Sequence, residues 1–336
     1  MAEKSKRKKK KSAFSRAMGS LFPQKGDGIL ESIRKIVFLI SVIVFAVCAY
    51  LIFDYFYENY QNRQLYEGIA DIYVEAEKEE IPEENTEEEK ELHLLSGAES
   101  LLGVNPDTVG YINIPGTVIS YPIVQKTTKE ESEYYLHINF MNQEAKAGAI
   151  FLDWRNQFNA EGQSDNLIIY GHDMKDGSMF GTLRNYKKDD YVEFYKNHAV
   201  IELNSNYEEA EYKIFGCFII DAGLPESEIF DYYNYIDFSG EQEFYYYVNE
   251  IKKRSLILND VDVKYGDKLV ILSTCSQEFP DSRFVIAARK FRDGETAEEG
   301  TQNAWENDNP LMPDRWYNVK GGKRYDPDAE FIPYGE

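Results

Sequence analysis

The 336-residue chain contains few of the residue types that build metal centres and disulfide frameworks. It has three cysteines and four histidines, and neither a Cys-x-x-Cys nor a His-Glu-x-x-His motif occurs. Disulfide-stapled domains show even, patterned sets of cysteines, and zinc sites show paired ligands, so neither class is expected. A glycine-rich phosphate-binding motif is also missing from the sequence. We therefore expect no metal site and no cofactor.

Positive charge is scarce outside the N-terminal end. The formal net charge is −22, yet residues 1–35 hold 11 Lys and Arg against 3 Asp and Glu, a net of +8 that leaves −30 for the rest. Binding to a phosphate backbone needs clustered positive charge. We therefore expect no nucleic-acid partner, and the basic end needs a separate explanation.

A long apolar run supplies that explanation. Residues 36–53 are 18 consecutive residues without charge, nearly enough for a helix at ~1.5 Å per residue to cross a hydrocarbon core of ~30 Å. The preceding basic residues predict a cytoplasmic N-terminus and an extracellular body. A cleaved signal peptide or a buried core helix are the alternatives. The length of the run and the missing Ala-x-Ala-like site argue against the first. We therefore predict a basic cytoplasmic segment 1–35 and a transmembrane helix 36–53.

Composition divides the rest of the chain into three parts. Residues 54–94 read as a juxtamembrane helix followed by an acidic linker, because residues 75–91 hold ten Glu against two Lys. Residues 95–291 alternate apolar β-type runs with turn signals. Gly, Pro, Asn and Asp crowd residues 292–336, which predicts an irregular or disordered tail. Its aromatic stretch NPLMPDRWY is the one part expected to dock on the domain.

The β-type runs predict the architecture of the body. They are short, numerous and interrupted by few helical patterns, which favours a mainly β fold with inserted helices, a closed or nearly closed β-barrel. The clearest helix is expected over residues 239–255, with Ser239 as its N-cap and acidic residues in its first turn.

A single cysteine is a candidate nucleophile. Cys48 lies inside the apolar run, and Cys217 lies in the apolar stretch YKIFGCFII. Cys275 ends the apolar run LVILSTC and is followed at once by polar residues. A thiol needs a nearby imidazole or cation to react well at neutral pH.

The histidines and one arginine are the candidate partners for that thiol. His172 follows the run NLIIY at a strand end, where catalytic side chains are often carried. His93 in the linker is expected to be solvated, and His137 among apolar residues is expected to be a wall residue. His198 after a helix is expected to interact with the C-terminal dipole of that helix. Arg283 follows Cys275 by eight residues across a turn, so paired strands would bring the two together. From position alone, catalytic and structural roles stay equally open for His172 and Arg283.

The motifs together resemble the sortases, the membrane-anchored cysteine transpeptidases of Gram-positive bacteria. The resemblance is carried by YGH, LSTC and the arginine of SRFVIAARK, in that order. GYINIPGTVISYPIVQ, YYLHINF, GAIFLDWRN and the helix before LSTC resemble class B, over residues 95–291. The resemblance implies a sortase-type closed β-barrel with His172, Cys275 and Arg283 as catalytic residues. It also implies a peptide groove lined by Leu136, Tyr170, Ser273 and Thr274.

The resemblance implies an activity and its partners. A sortase cleaves a sorting signal of an exported protein after threonine through a cysteine thioester, then transfers the acyl group to an amine of a cell-wall peptide or a pilin lysine. The implied location is the cell membrane, with one span and an extracellular catalytic domain. Two alternatives remain: a membrane-anchored cysteine endopeptidase that releases the same acyl-enzyme to water, and a non-catalytic surface scaffold with an inert Cys275.

Overall fold

The structure, a computed structural model, describes residues 21–79, 93–225 and 229–335. These residues form two compact units, one ending at Gln61 and the other beginning at Asn62. Most of the predicted basic segment 1–35 and most of the predicted acidic linker lie outside the described residues. The structure therefore bears on the apolar helix, the barrel and the C-terminal segment.

The secondary structure matches the predicted mixture of short strands and inserted helices. The helices are α1 (Ile29–Glu79), α2 (Ser96–Val104), α3 (Tyr191–Asn197), α4 (Glu241–Arg254) and α5 (Asp314–Lys320). Short 3₁₀ turns lie at Lys129–Glu131, Tyr134–Leu136, Gly181–Lys187 and Tyr232–Asn234. The strands are β1 (Thr108–Asn113), β2 (Ser120–Val124), β3 (Ile150–Leu152), β4 (Phe158–Asn159), β5 (Gly162–Gln163), β6 (Asn166–Tyr170), β7 (Val200–Ser205), β8 (Glu211–Asp221), β9 (Ile257–Leu258), β10 (Leu269–Cys275), β11 (Ser282–Lys290) and β12 (Trp305–Glu306).

Helix α1 contains the predicted membrane-spanning run. By length and composition it is long and apolar enough to cross a bilayer. The side chains of residues 36–53 are largely solvent-exposed in the structure, as expected of a surface that lipid would cover. The helix is therefore a candidate membrane anchor near the N-terminus.

The later part of α1 belongs to the second unit. Tyr66 and Tyr73 are buried; the Tyr66 hydroxyl donates to the carbonyl of Gly148 at 2.8 Å, and Tyr73 stacks on Tyr111 with ring centroids 3.9 Å apart. The prediction treated this stretch as a connection between membrane and barrel. Its aromatic residues instead complete the barrel core, because each buries a large apolar ring.

Eight strands close into a barrel, which confirms the predicted fold. They pair in the order β1-β2-β3-β6-β10-β11-β8-β7. Most pairs are antiparallel, whereas β6 with β10 and β2 with β3 are parallel. Two small two-stranded sheets, β4 with β5 and β9 with β12, lie outside the barrel. The parallel pair of β6 and β10 matters most, because it places the C-terminal ends of two predicted strands at one edge.

Strands β8, β10 and β11 are buried on both faces. One face lines the barrel interior and the other packs under α4, which explains their almost continuous apolar sequences. Helix α4 presents Phe244, Tyr247, Val248 and Ile251 at helical spacing toward these strands. The predicted N-cap is wrong, because Gly240 occupies that position. The amide and the hydroxyl of Ser239 instead donate to the carboxylate of Glu243.

The C-terminal segment 292–336 is largely irregular in its described part, with one short strand and one short helix. Strand β12 pairs with β9, α5 is helical, and Met312 and Tyr317 are buried. These last two residues confirm the predicted docking of NPLMPDRWY. Specific hydrogen bonds and ion pairs also hold this irregular segment, one of them from Arg289 to Glu295.

Candidate active site

The ends of β10 and β11 bring the thiol and the guanidinium together. The two strands are antiparallel, and Cys275 lies directly opposite Arg283. Arg283 Nη1 donates to Cys275 Sγ at 3.2 Å. Cys275 is solvent-exposed, whereas the six residues before it in β10 are buried. The sequence pattern of an apolar run ending in cysteine therefore places a reactive atom at the surface beside a cation.

The parallel strand β6 carries His172 to the same edge. Tyr170 is paired with Ser273 in the register of the two strands. Beyond it, the Gly171 amide donates to the Ser273 carbonyl at 3.2 Å, and the Thr274 hydroxyl donates to the Gly171 carbonyl at 2.7 Å. These bonds continue the pairing past the end of β6, so the next residue, His172, leaves the strand beside the end of β10.

Gly171 is required by close packing. A Cβ added there would lie 2.5 Å from Ile150 Cδ1 and 2.7 Å from Phe180 Cδ2, closer than side-chain atoms approach. Any larger residue would push the strand end away from the barrel wall. The glycine before His172 thus allows the close packing that positions the imidazole.

The imidazole of His172 is oriented by the backbone. The ring Nε2 lies 2.8 Å from the carbonyl oxygen of Leu136. The backbone carbonyl of His172 accepts a hydrogen bond from the Phe180 amide. His137, which was expected to be a wall residue, is instead exposed. Its ring centroid lies 6.3 Å from that of His172. The prediction failed because the neighbouring residues form a 3₁₀ turn that directs His137 outward.

The remaining cysteines and histidines fit structural roles. Cys217 is fully buried, and burial raises the pKa of its thiol far above the ordinary value. His198 Nδ1 lies 2.8 Å from the Phe194 carbonyl at the end of α3, as expected for an interaction with a helix C-terminus. His93 is exposed, as predicted. Cys275 is therefore the accessible thiol of the barrel.

The four predicted groove residues surround the reactive edge but differ in exposure. Leu136 and Tyr170 are half-buried. Ser273 is 3% and Thr274 is 4% exposed. The Ser273 hydroxyl shares a 2.7 Å hydrogen bond with the Tyr232 hydroxyl, and Thr274 is bonded to Gly171. Leu136 and Tyr170 are thus the two predicted groove residues that are partly exposed.

Two residues that the sequence did not single out support Tyr170. Its hydroxyl donates to Asp153 Oδ2 at 3.0 Å, and Arg155 binds the same carboxylate through Nε and Nη2 at 2.8 and 2.9 Å. Burial, followed by the Asp153 charge, raises the pKa of Tyr170 well above its ordinary value. The sequence signal that could have identified this ion pair is the i, i+2 spacing of Asp153 and Arg155 after β3.

Comparisons with known proteins identify the family of the chain. A sequence model of the sortase domain matches residues 112–291. Sortase B of Listeria monocytogenes is 33% identical over 236 residues, covering 69% of this chain and 86% of that protein. A solved structure of a Staphylococcus aureus sortase B–substrate complex has a TM-score of 0.59 at 28% identity, covering 70% of this chain and 99% of the other. A sortase B structure complexed with triglycine has a TM-score of 0.58 at 28% identity, covering 70% and 100%.

The matched region contains the barrel strands that carry His172, Cys275 and Arg283. Helix α4, inserted between β8 and β10, lies within it as well. The chain therefore belongs to the sortase family and is a sortase of class B.

Proposed function

We propose that this sortase acts as a cysteine transpeptidase on sorting signals of exported proteins. The observation that carries the proposal is the 3.2 Å contact between Arg283 Nη1 and the exposed Cys275 Sγ. A guanidinium beside the sulfur can donate hydrogen bonds to the oxyanion that forms when the sulfur attacks a carbonyl. The neighbouring strand end supplies His172 as the third group.

The first half-reaction forms a thioester. Cys275 Sγ attacks the carbonyl carbon of the threonine in the signal, and the new C–S bond converts that carbonyl to a tetrahedral oxyanion. Arg283 donates hydrogen bonds to the oxyanion; one such donor is typically worth ~3 kcal/mol. The C–N bond then breaks, and His172 as general acid gives its proton to the leaving amine.

The second half-reaction releases the acyl group to an amine. The amine nitrogen attacks the thioester carbonyl, His172 takes the proton that this nitrogen loses, and Cys275 leaves as the thiolate. The acceptor is an amine of a cell-wall peptide or a pilin lysine. The relatives solved with a substrate and with triglycine support a peptide donor and an amine acceptor.

We propose that the exposed groove residues contact the signal peptide. Leu136 supplies an apolar wall beside the imidazole, and Tyr170 supplies a ring held by Asp153. Ser273 and Thr274 would form the floor through their strand rather than through their hydroxyls, since both hydroxyls already have partners. A peptide laid along this edge would pass over Cys275.

We propose that the apolar part of α1 anchors the enzyme with its N-terminus in the cytoplasm. The 11 basic residues of the first 35 support this orientation. The barrel then faces outward, where exported substrates and wall precursors pass, and the anchor raises their effective concentration. Protease added to intact cells should digest the barrel; a protected barrel would contradict this topology.

Product analysis tests the proposed reaction. The full-length protein in detergent would be incubated with a panel of threonine-containing pentapeptides, with and without triglycine. We expect cleavage after threonine, a peptide thioester on Cys275 and a ligated triglycine product. Hydrolysis that dominates at saturating triglycine would favour the endopeptidase. Labelling of Cys275 no faster than in denatured protein, with no thioester, would favour the scaffold.

A further inference from the structure

The loop that joins the two reactive strand ends is held by the barrel on one side. This active-site loop, residues 276–281, connects Cys275 at the end of β10 to β11. Lys187 Nζ donates to Ser276 Oγ and to Glu278 Oε1, both at 2.6 Å. The side chain of Lys187 is 10% exposed, so its charge is matched by Glu278 within a largely buried contact.

The C-terminal segment holds the same loop from the other side. Lys320 Nζ at the end of α5 lies 3.0 Å from Glu278 Oε2. Arg315 Nη1, on the same helix, donates to the carbonyl of Pro280 at 3.2 Å and lies 3.4 Å from Asp221 Oδ1. Glu278 thus joins Lys187, at the end of the 3₁₀ turn Gly181–Lys187, to Lys320 of α5.

Helix α5 is itself anchored to the barrel. Met312 and Tyr317 are buried, and Trp316 packs against the same core. The Tyr317 hydroxyl donates to the Pro310 carbonyl and accepts from the Tyr325 amide. A short helix gains its stability from such packing rather than from its own hydrogen bonds. Its two cations therefore contact the active-site loop from an anchored support.

We propose that α5 is an intramolecular brace for the active-site loop, with Lys320 and Arg315 as positioning residues that keep Cys275 and Arg283 in contact. The inference rests on the proposed function of those two residues. The brace lies outside the matched sortase domain, which ends at residue 291. Positioning affects turnover strongly, because a displacement of ~1 Å at a reacting group can cost ~10²-fold in rate.

Three variants of the full-length protein in detergent test the brace. Lys320→Gln removes the charge that reaches Glu278, and Lys320→Arg keeps it. Lys323→Gln removes an equal charge from an exposed residue three positions further along the same segment. The readouts are amide hydrogen exchange of residues 276–281, alkylation of Cys275 measured on its peptide, and steady-state transpeptidation with triglycine.

Lys320→Gln should loosen the loop and lower kcat. Because the ion pair is partly exposed, we expect kcat to fall about two- to fivefold with little change in KM. Exchange of the active-site loop should become faster while that of residues 269–274 stays the same. Lys320→Arg should restore both kcat and the exchange rate of the active-site loop. Lys323→Gln should match the wild type in both quantities. High salt should bring the wild type toward Lys320→Gln, since screening weakens the pair.

Two outcomes would overturn the brace: unchanged loop exchange in Lys320→Gln, or an equal effect from Lys323→Gln, which would indicate a general charge effect. Hydrogen exchange and alkylation need no peptide substrate, so they separate this inference from the proposed reaction. A wild type without acyl transfer whose loop still responds to Lys320→Gln would support the brace and reject the reaction. Normal acyl transfer in the wild type, without a loop response to Lys320→Gln, would support the reaction and reject the brace.

Discussion

Strand β11 carries two arginines, six residues apart, whose surroundings are opposite. Arg289 is 1% exposed. Its guanidinium donates to the Asp262 carbonyl at 2.7 Å, to the Lys290 carbonyl at 3.0 Å and to both carboxylate oxygens of Glu295. Arg283 is half-buried, and within the described residues its guanidinium has one hydrogen bond, to Cys275 Sγ.

The difference is the one expected between a structural arginine and the arginine that we propose to be catalytic. A guanidinium has five N–H donors, and at Arg289 they are directed at protein acceptors that neutralise a buried charge. At Arg283 the hydrogen bond to Cys275 Sγ is the one found among the described residues, so we propose that the remaining donors serve an oxyanion. The C-terminal segment takes part at both ends, because Glu295 pairs with Arg289 and Lys320 contacts the active-site loop.

The largest expected effect concerns the nucleophile at the open end. Cys275→Ala should abolish thioester formation and lower turnover by at least about 10⁴-fold, because the covalent step is lost. Its melting temperature should stay near that of the wild type, since the residue is exposed. Cys217→Ala is the matched control in the buried part of β8, and it should keep the thioester. Mass spectrometry of the isolated peptides gives both answers.

The two arginines should respond in opposite ways to the same substitution. Arg283→Lys should lose about 10²–10³-fold in turnover with little change in stability, because a point charge does not replace a planar fork. Arg289→Lys should lower the free energy of unfolding by about 1–3 kcal/mol and keep turnover per folded molecule. Steady-state kinetics and denaturant unfolding check the pair. Near-normal turnover of Arg283→Lys would refute its assigned role.

Removal of the Glu295 carboxylate beside Arg289 should destabilise the barrel without changing the turnover of the folded enzyme. Glu295 also lies 3.7 Å from the buried Lys213, so Glu295→Gln leaves two buried cations poorly compensated. We expect a loss of about 3 kcal/mol. Glu299→Gln is the control, because Glu299 is 60% exposed at 3.9 Å from the same lysine, and should change stability by less than about 0.5 kcal/mol. Equal losses would contradict the account.

The Glu295 carboxylate also predicts a loss of stability in acid, which is smaller than the loss expected from Glu295→Gln. Burial alone would raise the pKa of Glu295, but the hydrogen bonds from Arg289 and the Arg292 amide lower it from 4.5 to about 2. Below its ordinary pKa the unfolded chain takes up a proton that the folded barrel does not, so stability is lost as pH falls from about 4.5 toward 2. At pH 3 the wild type should lose roughly 2 kcal/mol more, relative to pH 6, than Glu295→Gln loses. Parallel pH curves would contradict this.

Local patterns were enough to predict the reactive edge. An apolar run that ends at Cys275, with Arg283 across a short turn, predicts an antiparallel pair with the two residues close together, and the register places them opposite each other. The run NLIIY followed by Gly171 and His172 predicts a strand end. That β6 is parallel to β10 is a long-range property that local patterns do not contain, and the family resemblance supplied only the closed barrel and the catalytic role of His172.

Contacts between distant segments could not be predicted from local patterns. Lys187 reaches Ser276 across 89 positions, and Lys320 joins the same loop through a segment whose composition suggested disorder. No periodicity or motif in the sequence predicts either contact, because each depends on the folded barrel bringing distant segments together. The exposure of His137 was missed for a related reason, since a 3₁₀ turn interrupts the strand-like pattern around it.

Trapping the acyl-enzyme tests the central claim most directly: the wild type, Arg283→Lys and Arg289→Lys would each be mixed with a threonine-containing peptide, quenched in acid and digested. Mass spectrometry would then measure the peptide thioester on the fragment that contains Cys275. The account predicts the thioester in the wild type and in Arg289→Lys, and little or none in Arg283→Lys. An equal yield in Arg283→Lys, or acylation elsewhere than Cys275, would contradict it.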